Sequence, residues 1–128
     1  MKTSPLKPTE KELAILQVLW KKGPSTVREI NEVLSKDNHV GYTTTLKLMQ
    51  IMFDKGILTR ERNGKTHIYS AELTQENTQR RLLDKLLEGA FEGSAMKLVM
   101  QALGNGKSSK AELEEIRKYI DQLEGGKS

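Results

Sequence analysis

Cysteine is absent from the 128 residues. Its absence excludes disulfides and thiol chemistry and is compatible with a reducing cytosol, so the protein is expected to be cytoplasmic. Histidine is nearly as scarce: His39 falls in an expected loop, His67 in an expected strand, and no His-x-x-x-His spacing occurs. A metal centre would have to draw on scattered carboxylates. No apolar run approaches the roughly 20 residues that a membrane-spanning helix requires, and the opening MKTSPLKPTEKEL has no apolar segment of the signal-peptide kind. Gly104 and Gly106 lack both a preceding strand and the Lys-Ser/Thr ending of a phosphate loop. Ser25, Ser94, Ser108 and Ser109 fall at expected caps or loop edges, with no base nearby in sequence and no Gly-x-Ser-x-Gly elbow. These gaps argue against an enzyme and against a resident cofactor or metal.

The composition, 36% hydrophobic and 30% charged, fits a globular protein with a modest core. The net charge of +4 is unevenly placed. Residues 1–73 carry 12 Lys and Arg against 8 Asp and Glu, whereas residues 74–128 carry 9 against 9. The whole excess of positive charge therefore lies in the N-terminal part, which points to a polyanionic partner there.

Local signals in that part are dense. Thr9 and Glu12 have capping-box spacing, and Leu13, Leu16, Val18, Leu19 and Trp20 follow before Gly23-Pro24, so a helix is predicted over about 9–21, with Trp20 as a core anchor. Thr26 and Glu29 repeat the box, and Val27, Ile30, Val33 and Leu34 carry a second helix to about Ser35. A third is predicted over about 43–55, ended by Gly56. The period then changes: residues 57–62 and 65–70 flank Asn63-Gly64, a strong hairpin signal because both residues tolerate positive φ. Three helices and a hairpin are the winged-helix order.

Past Leu73 the pattern is helical again. Thr74 can cap a helix with Leu82, Leu83, Leu86 and Leu87, interrupted by Gly89 and Gly93; a short helix runs from Ser94 to Leu103; Ser109 and Glu112 form a third capping box. The last helix carries Leu113, Ile116, Ile120 and Leu123, a coiled-coil-like seam. Helices this short enclose little core alone. They either fold back on the N-terminal domain or pair with a second chain, and the seam favours pairing. The ends, 1–8 and 124–128, are expected to be loose. The expected fold is thus mainly α with a small β-hairpin: a winged helix-turn-helix domain over 1–73 and helical dimerisation over 74–128.

The third helix holds the most informative surface. At about 100° per residue, Thr45, Leu48, Met49, Met52 and Phe53 share one face, with Thr43, Thr44, Lys47, Gln50, Ile51 and Asp54 opposite. Short polar side chains on the first turn, followed by a lysine and a glutamine, suit a helix that enters the major groove. An ordinary solvated face with threonine caps is the plainer alternative. Arg60, Arg62 and Lys65 flank the hairpin tip, where a wing would approach phosphates. A winged helix can also serve as a protein-interaction module, or as a DNA-binding regulator that senses a ligand.

At this point the residues resemble the penicillinase-repressor family of winged-helix transcriptional repressors. The resemblance is carried by TEKELAILQVLW, STVREI, GYTTTLKLMQIMFDKGIL, RERNGKTHIYSA and AELEEIRKYID, which span nearly the whole chain. It implies a homodimeric repressor, held by its C-terminal helices and binding an inverted-repeat DNA operator. It places Thr43, Thr44, Lys47 and Gln50 on the recognition face and Arg60, Arg62 and Lys65 on the wing. Relatives often carry Arg on this helix where Leu46 and Ile51 stand here, which implies a different base preference. They are released by proteolysis before the last helix, often at an Asn-Phe bond, through a membrane sensor protease; the matching place here reads Gln101-Ala102. The cysteines of the copper-sensing branch are missing.

Overall fold

A computed structural model describes residues 7–126. They form two compact units, the first ending at Arg80 and the second beginning at Arg81. The sequence placed this division at 73/74. Residues 74–80, which the first unit takes in as well, hold nearly two turns of a helix whose Thr78 is buried.

The first unit follows the expected order. Helix α1 (Glu10–Lys22) starts at Thr9, whose hydroxyl accepts from the Glu12 amide at 3.2 Å while the Glu12 carboxylate accepts from the Thr9 amide at 3.0 Å. Helix α2 (Val27–Leu34) begins with the same reciprocal pair between Thr26 and Glu29. Helix α3 (Tyr42–Asp54) follows, then strands β1 (Leu58–Asn63) and β2 (Thr66–Ala71), paired antiparallel with Arg60 opposite Tyr69.

The hairpin sits one residue later than expected. Asn63 pairs with Thr66, so the loop is Gly64-Lys65 and not Asn63-Gly64. Gly64 has φ 67° and Lys65 is not among the positive-φ residues. Positive φ at the first loop residue alone is the type II′ pattern, which asks for glycine there and leaves Asn63 free to extend the strand. A third element joins the sheet: the Ser25 amide donates to the Tyr69 carbonyl at 3.0 Å, and the Tyr69 amide donates back to the Ser25 carbonyl at 2.8 Å.

The core of this unit is made by Ile15, Leu16 and Leu19 of α1, Val27 and Ile30 of α2, Met49 and Met52 of α3, and Ile57, Leu58 and Tyr69 around the sheet. Each large apolar side chain so buried contributes roughly 1.5–3 kcal/mol. Trp20 does not lie at the centre. It is half-buried at the rim, and its indole N–H donates to the Leu73 carbonyl at 2.9 Å, a bond that ties α1 to the segment leaving β2. An indole N–H needs an acceptor when it is covered, and the rim supplies one.

Helix α4 (Gln75–Ala90) crosses from the first unit into the second. The Thr74 hydroxyl accepts from the Asn77 amide at 3.1 Å, as its position suggested. Gly89 does not interrupt the helix: glycine costs about 1 kcal/mol in a helix interior, which weakens a helix without ending it. The break comes at Phe91-Glu92-Gly93, where the Gly93 amide reaches back to the Leu87 carbonyl and both Glu92 and Gly93 take positive φ. Helices α5 (Ala95–Gly104) and α6 (Lys110–Gly125) start at Ser94 and Ser109, whose hydroxyls accept from the Lys97 and Glu112 amides. Neither helix contains a buried residue. Of the loose ends expected, residues 1–6, 127 and 128 lie outside the described residues, and α6 continues through Gly125.

Candidate nucleic-acid interface

Helix α3 divides as its periodicity predicts. Thr45, Met49 and Met52 are buried and Leu48 and Phe53 half-buried, while Thr43, Thr44, Lys47, Gln50, Ile51 and Asp54 are exposed. The start of the helix is informative. Its N-cap is Gly41, which offers no side-chain cap, and Thr43 and Thr44 lie inside the first turn. The threonines are therefore not spent as caps, and the first-turn amides keep no side-chain acceptor. The positive end of the helix dipole and two exposed hydroxyls share one surface. Tyr42 is exposed beside them, with the Arg28 guanidinium 5.9 Å from its ring centroid.

Both ends of α3 are anchored from behind. At its start, the Asn31 side-chain amide donates to the Val40 carbonyl at 2.8 Å and to the Thr45 hydroxyl at 2.9 Å. Asn31 thus joins the loop before α3 to its buried face. At its end, the Lys55 ammonium lies 2.8 and 3.0 Å from the two carboxylate oxygens of Glu12, a residue only 2% exposed. The same carboxylate completes the α1 capping box. Sequence reading missed both anchors, because the partners stand 14 and 43 residues apart and no local spacing links them.

The three wing cations have different surroundings. Lys65 is exposed in the hairpin loop, and Arg62 is exposed with its Nε donating to the Gly64 carbonyl at 3.1 Å. Arg60 is half-buried: its guanidinium lies 3.9 Å from the centroid of the Phe53 ring and 3.4 Å from the Tyr69 hydroxyl. In the second unit, Leu113 and Ile116 are half-buried and Ile120 and Leu123 are 48% and 51% exposed. Gln101 and Ala102 are exposed within α5. Among the described residues no group of His, Asp and Glu is placed to hold a metal ion, and no helix is long and apolar enough to cross a membrane.

A trihelical unit that buries one face of its third helix, presents the other and continues into a cationic hairpin is the winged-helix class of transcriptional regulator. The family model for the penicillinase repressor matches residues 8–122, and the chain belongs to that family, whose members are transcriptional regulators and not enzymes. Among curated proteins it is 25% identical over 117 residues to the transcriptional regulator BlaI of Mycobacterium tuberculosis, covering 90% of this chain and 83% of the relative. It is 20% identical over 114 residues to the penicillinase repressor of Bacillus licheniformis, covering 89% of each. Among solved structures, the transcriptional regulator Tm0710 of Thermotoga maritima overlays with a TM-score of 0.49 at 20% identity, over 91% of this chain and 74% of that one. A MarR family protein of Bacillus stearothermophilus overlays with the same TM-score at 19% identity, over 91% and 77%.

Proposed function

We propose that the protein is a cytoplasmic, DNA-binding transcriptional repressor that acts as a homodimer on an inverted-repeat operator. The observation that carries this reading is α3. One face is locked into the core, and the other presents Thr43, Thr44, Lys47 and Gln50 beside an uncapped helix start. In a major groove the threonines can bond phosphates or base edges, or press a methyl on thymine. Lys47 can reach phosphate or guanine, and Gln50 can pair with adenine. Arg62 and Lys65 would meet the flanking backbone. The names of its relatives, penicillinase repressors among them, support the repressor role.

The dimer would form through α6, with Leu113, Ile116, Ile120 and Leu123 meeting their copies. Release by a membrane sensor protease would act near Gln101-Ala102. Both residues lie inside α5, so cleavage there would require that helix to unwind locally.

Salt dependence tests the reading. Affinity for duplex DNA from the region upstream of the protein's own coding sequence should fall steeply with salt, with a log–log slope of about −0.9 per phosphate neutralised. Ile51, 42% exposed on the polar face of α3, favours the competing reading of a protein-docking surface. A flat salt response, or no binding to that duplex, would select it.

A further inference from the structure

We propose that Arg60 is a positioning residue that fastens the wing to the C-terminal half of α3, and not a phosphate ligand. The inference deepens the DNA-binding reading and rests on it for its functional consequence.

Strand alternation puts Leu58, Arg60 and Arg62 on one face of β1. Leu58 is buried, so that face looks toward the core, and Arg60 emerges over the core's edge. There its guanidinium covers Phe53, one residue before the end of α3, at 3.9 Å from the ring centroid. That is the separation of a flat cation stacked on a ring. The NH1 group also donates to the hydroxyl of Tyr69, the residue directly across the ladder, at 3.4 Å.

Tyr69 is 1% exposed and is fixed by its paired backbone bonds to Ser25. Arg60 therefore clasps a helix residue on one side and a buried strand residue on the other. It does so three rungs below the Asn63–Thr66 pair that closes the hairpin. Arg62 and Lys65 are nearer the tip and exposed, with Arg62 Nε held by the Gly64 carbonyl of its own loop.

The chemistry selects arginine for this place. Its guanidinium is planar, weakly hydrated and able to stack and donate at once, whereas a lysine ammonium is compact and strongly hydrated. A two-stranded hairpin is marginal alone, so its angle to α3 depends on such ties. If α3 and the wing must meet DNA together, fixing that angle beforehand spares the cost of ordering the wing on binding, while the phosphate contacts finally made stay the same in number.

The test measures affinity and salt slope for a fluorescent duplex from the region upstream of the coding sequence. Arg60→Met and Arg60→Lys should each weaken binding roughly fivefold, since both lose the stack. The salt slope should keep its wild-type value in both, whereas Lys65→Ala should reduce it by about 0.9. A slope reduced in Arg60→Met and restored in Arg60→Lys would make Arg60 a phosphate ligand and overturn the proposal, as would unchanged affinity in either variant. Circular dichroism checks folding. If Arg60→Met does not fold, Tyr69→Phe and Phe53→Leu carry the same expectation of weaker binding at constant slope.

If the wild-type chain binds no duplex, the DNA reading falls and the tie is decided on the free protein. Amide hydrogen exchange across residues 58–71 should then be faster in both Arg60 variants. Unchanged exchange would overturn the tie itself.

Discussion

The two units of this chain use the same kind of helix to opposite ends. Helices α1 to α3 and the hairpin share one core, and every buried residue among those described lies at or before Thr78. Beyond it, α5 and α6 are well capped and regularly patterned, yet none of their residues is buried. Met96 and Met100 of α5 and Tyr119, Ile120 and Leu123 of α6 stand largely open. Amphipathic spacing guarantees a helix with an apolar stripe; it does not say what covers the stripe. In the first unit the chain covers its own, and in the second we propose that another copy does.

That contrast breaks most sharply at α6. Replacing Ile116 and Ile120 with aspartate should convert dimers to monomers in sedimentation velocity, the largest effect expected; dimers that persist would move the interface elsewhere. The next largest effect belongs to the first core. Ile30→Ala should lower unfolding stability by about 2–5 kcal/mol, and this loss should not depend on protein concentration. The α6 variants should instead remove the concentration dependence of the wild-type melting temperature.

On the presented face of α3, Lys47→Ala and Gln50→Ala should each weaken a specific duplex by roughly 1–3 kcal/mol without altering the thermal midpoint by more than a degree or two. An unchanged footprint would remove them from the interface. Smaller still is Lys55→Met, which strands the covered Glu12 carboxylate. Because Lys55 itself is partly exposed, solvent screens the pair, and a loss of about 1 kcal/mol in denaturant unfolding is expected. A loss confined to the first unit would sharpen the contrast. No loss would mean that the ion pair contributes little to holding α3.

Legibility in the sequence followed range. The capping boxes at Thr9 and Thr26, the inward stripe of α3 and the existence of the hairpin all arise from neighbours within a few residues, and all were readable. The loop slipped by one because Asn63 and Gly64 both permit positive φ, and only the cross-strand register decides which residue uses it. Trp20 read as a core anchor because hydrophobicity ignores the indole N–H, whose acceptor at Leu73 is 53 residues away. Ser25 gave no strand signal at all; its pairing with Tyr69 is a product of the tertiary fold. The exposure of Thr43, Thr44, Lys47 and Gln50 on one face of α3 followed from periodicity alone. The different surroundings of the hairpin cations did not, since Arg60 looks like Arg62 until Phe53 is brought beneath it.

The Ser25 bridge has a consequence for how these molecules keep apart. It occupies part of the outer side of β2, so the principal open sheet edge among the described residues is that of β1. That edge carries Arg60, Glu61 and Arg62 in succession. Two such edges brought together would crowd charge against charge, which discourages strand-on-strand stacking between molecules. A projecting hairpin is an invitation to aggregate at the concentrations reached during synthesis. Here the charged run along β1 makes the hairpin a poor template for another hairpin.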